Sequence, residues 1–292
     1  MISIIIPKTV NMECTKTSKF PYAEEIEPLK ECIESIKKQT YKDYEIIYAE
    51  WSDKGNFYSL DKAWRKAKGN IILFFCPLAI FENKNALSDM IKAFNTKKAD
   101  AISLSSTANK NMTNLFIWLL CLEWENRENC ETYTNVAPII YFAIKREVLK
   151  KIGGLNLKNA SIKKNPLFDS GFIDWDFCAD LTSKGYRIWH TNKIKVYLLY
   201  QTGIYGYFKK QFHHAWYRIA FYRNYKIIKD GHIKINFKNI NFLYPNVFKF
   251  YRKTNDLKVF LFVPIFFLRD IAWMLGVIKG VWDFYIKRGR YA

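Results

Sequence analysis

From residue 2 to residue 104 the chain alternates short apolar runs with amphipathic segments, and this alternation limits the possible folds more than any other feature. Ile2 to Ile6 is broken only by Ser3, the pattern of a strand covered on both faces, and Pro7 ends it. Leu29, Cys32, Ile33 and Ile36 then recur at helical spacing, predicting an amphipathic helix over about 26 to 38. Tyr44 to Ala49 is the next strand. Leu60, Ala63, Trp64 and Ala67 form a second helix that Gly69 stops, and Ile71 to Phe75 a third strand. Leu87, Met90, Ile91 and Phe94 mark a third helix, followed by a strand from Ala101 to Leu104. Such an order specifies an α/β fold, an open sheet with right-handed crossovers. Ligands of such sheets bind beyond the carboxyl ends of the strands, which brings Pro7 to Val10, Glu50 to Lys54 and Cys76 to Ala79 round one crevice.

Downstream, Leu115 to Trp124 reads as an apolar helix too short to span a bilayer. Ile139 to Ile144 is a strand, Glu147 to Ile152 a short helix, and Gly153-Gly154 a break. Tyr186 to His190 and Lys195 to Leu199 read as two short strands. Between them, Asp174 and Asp176 bracket Trp175 at the start of a helix. Carboxylates there can take a proton from an acceptor hydroxyl, or can simply cap the helix. Glu50, at a strand end, can accept hydrogen bonds from a ribose or a base edge, or can be a loop acid facing solvent. There is no GxGxxG, no GxxxxGK[ST], no HExxH and no other metal-ligand cluster, so neither dinucleotide binding, P-loop phosphate binding nor zinc hydrolysis is indicated.

The charge is uneven. Of the formal +19, residues 201 to 292 carry 17 basic and 4 acidic side chains, a net +13, leaving +6 for residues 1 to 200. The same stretch is dense in aromatic residues, among them Tyr205, Trp216, Tyr217 and Phe221. Rings and cations together suit an anionic membrane surface, and no nucleic-acid-binding motif is present, so no nucleic-acid partner is expected. A solvated basic surface is the plainer alternative. The six cysteines are scattered without CxxC pairs, which suits a reducing, intracellular setting, and MISIIIPK has too short an apolar run for a signal peptide. Residues 226 to 256 carry no strong period. From Val259 to Arg290 about twenty apolar positions surround Arg269 and Asp270; Pro264 and that charged pair suggest two amphipathic segments lying in the interface, ended by Lys287, Arg288 and Arg290. One tilted span with Arg269 paired to Asp270, or a buried soluble helix, are the alternatives.

In order along the chain, ISIIIP, LKECIESIKKQTYKDYEII, YAEWSDKG, AWRKAKGNIILFF, AIKREVLKKIGGLN and IDWDFCADLTSKGYRI resemble the inverting glycosyltransferases of family 2. The resemblance covers about residues 1 to 225. It implies a GT-A fold, a Rossmann-like, mostly parallel sheet flanked by helices, as a domain over 1–225; the basic, aromatic composition of 226–292 reads separately as a membrane-associating helical extension. The resemblance further implies transfer of a sugar from a UDP- or GDP-linked donor, and the basic aromatic tail points to a glycan or polyprenyl-linked acceptor at the cytoplasmic face of the cell membrane. By position, Glu50 matches the acid that contacts the nucleotide base, and Pro7 to Thr9 border that pocket. Asp174 matches the catalytic base, with Asp176 beside it and Ile173 in place of a Glu. Trp175 and Gln211 fall where the acceptor is contacted, and His213, His214 or Arg218 where the leaving diphosphate is met; an aromatic, basic helix lying on the membrane explains the last four equally well. The chain departs from the family after the third strand, where Cys76 and Leu78 of FFCPLA occupy the two carboxylate positions of the metal-binding Asp-x-Asp. Thiol and isobutyl groups are no ligands for a hard cation, so no metal cofactor is expected. The chain is then either a metal-independent transferase or a catalytically silent partner protein.

Overall fold

The computed structural model describes residues 1–8, 27–50, 56–107, 130–155, 173–198, 204–224, 248, 251–252 and 255–286. Thr9, the helix expected over 115–124, most of 226–256 and the cluster Lys287, Arg288 and Arg290 lie outside these residues. The described residues form two compact units, one up to Leu198 and one from Ile204 onward. The sequence boundary after residue 225 and this division therefore differ over the helix from Ile204 to Asn224, which groups with the C-terminal residues.

The first unit holds eight strands: β1 (Ile2–Pro7), β2 (Tyr44–Ala49), β3 (Ile71–Phe75), β4 (Ala79–Phe81), β5 (Ala101–Thr107), β6 (Thr132–Thr134), β7 (Tyr141–Lys145) and β8 (Ile188–Leu198). Its helices are α1 (Glu27–Lys37), α2 (Asn56–Trp64), α3 (Ala86–Lys97), α4 (Arg146–Lys151) and α5 (Ile173–Ser183). They form a single sheet in the order β2-β1-β3-β7-β5-β8-β4, with β6 paired to β8. The sheet is mixed, where the family resemblance implied a mostly parallel one. β1 is parallel to β2 and β3, but β7 is inserted antiparallel between β3 and β5, which itself runs parallel to β8. Short β4 and β6 add antiparallel edges.

β1 is an interior strand, and Ile2, Ile4, Ile5 and Ile6 in it are fully buried. Each such side chain contributes about 1.5–3 kcal/mol on burial. Ile2, Ile4 and Ile6 face one core with α1 and α3, while Ile5 faces the other with α2, α4 and α5, so helices cover both sides of the sheet. The two strands expected at 186–190 and 195–199 are one strand, β8. Its register against β5 jumps between Leu104, opposite Thr191, and Ser105, opposite Lys195. The intervening residues form the bulge that broke the apolar pattern.

The second unit contains α6 (Ile204–Asn224), a 3-10 turn over Leu257–Leu261, α7 (Phe262–Val281) and a π-helical end over Trp282–Ile286. Residues 257–286 are one continuous helical run, not two segments. Pro264 lies in the first turn of α7, where a missing N–H costs nothing. The Arg269 Nε and Nη2 both donate to Asp270 Oδ1, at 2.9 and 2.7 Å, so the charges compensate each other on the helix.

Candidate active site

The carboxyl ends of parallel β1, β2 and β3 define one edge of the sheet. Pro7 lies opposite Ala49 there, and the Lys8 Nζ bonds Glu50 Oε1 at 2.8 Å. Lys8 was not singled out from the sequence, although it follows the strand as directly as Glu50 does. The Glu50 side chain is 69% exposed and that of Lys8 31%, and a surface ion pair of this kind contributes about 0–1 kcal/mol. An entering ligand can therefore divide the pair at little cost.

After β3 the chain turns tightly, with the Ala79 N–H donating to Cys76 O at 2.9 Å. Leu78 is buried in that turn. Burial pushes the Cys76 thiol up to about 11, a rise only partly offset by the Leu78 backbone N–H. A protonated thiol and a buried isobutyl group give a divalent cation no hard oxygen, so this donor set does not fit the metal that the sequence resemblance would place here. Among the described residues no group of three or more His, Cys, Asp or Glu side chains is arranged to hold one.

Two hydrogen bonds connect this edge to the start of α5. The Cys76 N–H donates to Ile140 O at 2.7 Å, just before β7, and the Cys178 Sγ–H donates to Ala137 O at 3.5 Å. α5 then runs back along the sheet, burying Phe177, Cys178 and Leu181, and ends near Arg187, whose carbonyl accepts from Ala101 N–H at the amino end of β5. Its first turn is thus at the carboxyl edge and carries Asp174 and Asp176. Asp174 stands one turn above Cys178, and its charge adds to the effect of burial in raising that thiol. Residues two apart on a helix do not share a face, so Asp176, itself buried, leaves α5 in another direction. Trp175, between them, is half-buried.

Sequence reading also missed the polar stretch of β5. The strand runs on through Ser105, Ser106 and Thr107, all buried, and the His190 ring bridges Ser103 and Ser105 with both contacts at 3.3 Å. Hydroxyls do not register in an apolar period, so the strand was expected to stop at Leu104.

Gln211, His213, His214 and Arg218 all lie on α6 in the second unit. The Arg218 guanidinium stacks over Trp273 at 5.4 Å from the ring centroid. Burial, reinforced by the Lys209 charge, lowers His213 from the ordinary 6.5 to about 4, so the ring is neutral in the folded protein at pH 7. The unfolded chain binds the extra proton between those values, hence stability falls as pH drops through that window. A His213→Gln variant is expected to flatten the fall of the thermal midpoint over the same range, as followed by circular dichroism.

Compared with solved structures, the chain is similar to the mannosyltransferase PcManGT from Pyrobaculum calidifontis in complex with GDP-Man and Mn2+, with a TM-score of 0.55 and 16% identity over 97% of this chain and 87% of that one. This is the GT-A fold. At such identity the likeness is one of architecture. S. aureus TarS in complex with UDP-GlcNAc superposes at a TM-score of 0.44 with 11% identity over 97% of this chain and 91% of that one, too loosely to add to the argument. No protein-family model matches the sequence, nor does any curated protein. In this GT-A fold the edge that gathers Lys8, Glu50, the Cys76–Leu78 turn and the first turn of α5 is the place where ligands of open α/β sheets bind.

Proposed function

We propose that the chain is an inverting, metal-independent glycosyltransferase. It moves a sugar from a UDP- or GDP-linked donor to a glycan or polyprenyl-linked acceptor at the cytoplasmic surface of a membrane. The observation that carries this reading is the convergence of Glu50, Lys8 and the Asp174 turn on one sheet edge of a GT-A fold. The GDP-Man in the PcManGT structure supports a nucleotide sugar as the donor class.

In this reading Glu50 accepts hydrogen bonds from the nucleotide, beside Pro7 and Thr9, while the Cys76–Leu78 turn borders the diphosphate. Asp174 takes the proton of the acceptor hydroxyl as its oxygen attacks the anomeric carbon. The bond to the diphosphate breaks on the opposite face, its electron pair leaves with the nucleoside diphosphate, and configuration inverts. Lys8 offsets the charge that develops on the diphosphate, the electrostatic part otherwise played by a cation. Trp175 borders the acceptor.

Lys8→Ala and Glu50→Ala are each expected to raise the Kd for UDP or GDP about tenfold in the presence of EDTA. Unchanged affinity in both would remove these residues from the donor site. A second reading, a catalytically silent partner protein, is favoured by the buried Leu78 and protonated Cys76 at the end of β3. It is distinguished by nucleotide binding without turnover, or by no binding at all.

A further inference from the structure

The run from Leu257 to Ile286 has two unlike sides. One side is packed on α6: a Cβ added at Gly276 would run into the Phe212 carbonyl oxygen, and one at Gly280 would come within 2.9 Å of Ile219 Cβ and 3.0 Å of Trp216 O. Both glycines let the helices approach closely. On this side Asp283 is buried, accepting from Trp216 Nε1 at 3.0 Å and from Lys279 Nζ. The other side is exposed and apolar, with Phe260, Phe267, Met274, Leu275, Ile278 and Trp282 recurring at intervals that keep them on one stripe along the helix. Thirty residues of helix measure about 45 Å, so the stripe is far longer than the scattered apolar residues of an ordinary surface.

We propose that this stripe lies in the plane of an anionic bilayer surface, its apolar side chains among the acyl chains and α6 covering the side turned away from the lipid. Length and composition alone would also allow residues 257–286 to cross a membrane. The α6 pairing argues against crossing, because a spanning α7 would draw α6 into the hydrocarbon with Lys209 and Arg218. Each charge there costs about 2.5–3.5 kcal/mol. Lying flat, the same pair keeps Lys209 and Arg218 at head-group level, out of the hydrocarbon, while Arg269 and Lys279 stay paired with Asp270 and Asp283. The net +13 of residues 201–292 fits such a partner and opposes association of two copies of the chain through this region. The in-plane placement refines the membrane-surface part of the proposed function but does not depend on catalysis.

The test is flotation of the full-length chain with sealed vesicles of phosphatidylcholine alone or mixed with phosphatidylglycerol. The expected result is flotation with the mixed vesicles, reduced more than about tenfold in the triple variant Phe267→Asp, Met274→Asp, Ile278→Asp. Circular dichroism and nucleotide binding on the same preparations separate misfolding, or failure of the transferase reading, from loss of lipid binding. In a background with Cys14, Cys121 and Cys130 replaced by Ser, Lys258→Cys and Ile286→Cys should both react with a membrane-impermeant maleimide at intact vesicles. Reaction of only one until the vesicles are opened would mean that the helix spans. A wild-type chain that stays in solution as a dimer dispersed by the triple substitution would mean that a second copy covers the stripe. Either result overturns the proposal.

Discussion

Asp174→Asn is expected to lower sugar transfer by about two to four orders of magnitude while leaving donor affinity within about twofold of the wild type. The substitution keeps the size and planarity of the side chain at the first turn of α5 and removes only its ability to accept a proton. The core beneath it is unaffected, since Phe177, Cys178 and Leu181 hold the helix against the sheet. Folding should therefore survive, and thermal unfolding of the variant within about 2 °C of the wild type would confirm that the loss is chemical. Asp176→Asn is the informative companion. Asp176 leaves the helix on another face and is buried, so its substitution should change stability more than the chemical step. Activity, measured as release of nucleoside diphosphate in the presence of a membrane-lipid extract as acceptor, separates the two carboxylates. Equal loss in both variants would mean that they act as a pair.

The largest expected effect on stability is that of Gly154→Ala, a loss of about 3 kcal/mol or more. Gly154 has φ +101°, outside the region open to a side chain, and a Cβ there would collide with Asp61 Oδ1. Asp61 is the hub of this corner. Its Oδ1 accepts from Trp64 Nε1 and from the Leu155 N–H, both at 2.9 Å, and its Oδ2 accepts from Arg65 Nη2 at 2.9 Å. Arg65 also donates to Gly153 O at 3.2 Å. A methyl group would impose backbone strain of about 1–3 kcal/mol and would push Asp61 out of a position that ties α2 to the chain after α4. Gly153→Ala makes the control. It also has positive φ, but nothing lies within 4 Å of an added Cβ, so only strain remains. Urea denaturation that found both variants equally destabilised would contradict the role given to Asp61.

The elements legible in the sequence were those with a strong period and a plain boundary. β1 announced itself because four of its six residues are isoleucine, and α1 and α3 because their buried faces repeat at helical spacing. The antiparallel insertion of β7 between β3 and β5 was not legible, since a strand's own pattern does not name its neighbour. β4 and β6, three residues each, are too short to display an alternation. In the C-terminal unit, Pro264 and the Arg269–Asp270 pair suggested a break; the fold accommodates both, one in a first turn and the other as a local ion pair. As for the site, Glu50 and Asp174 could be found because each opens or closes a recognisable element. Lys8 lies in the Pro7 to Val10 segment already placed at the crevice, but its pairing with Glu50 showed only once β1 and β2 were seen to run side by side. The stripe on α7 emerged only when α6 was seen to cover the opposite face.

The central claim is metal-independent transfer from a nucleotide sugar at the carboxyl edge of this sheet. It is tested most directly by incubating the full-length protein with a panel of UDP- and GDP-sugars, EDTA and a membrane-lipid extract, and measuring nucleoside diphosphate release. The account predicts release from at least one donor, undiminished by EDTA and abolished by Asp174→Asn. Release that requires added manganese would contradict the metal-independent mechanism, and no release from any donor, with or without manganese, would contradict the assignment as a transferase.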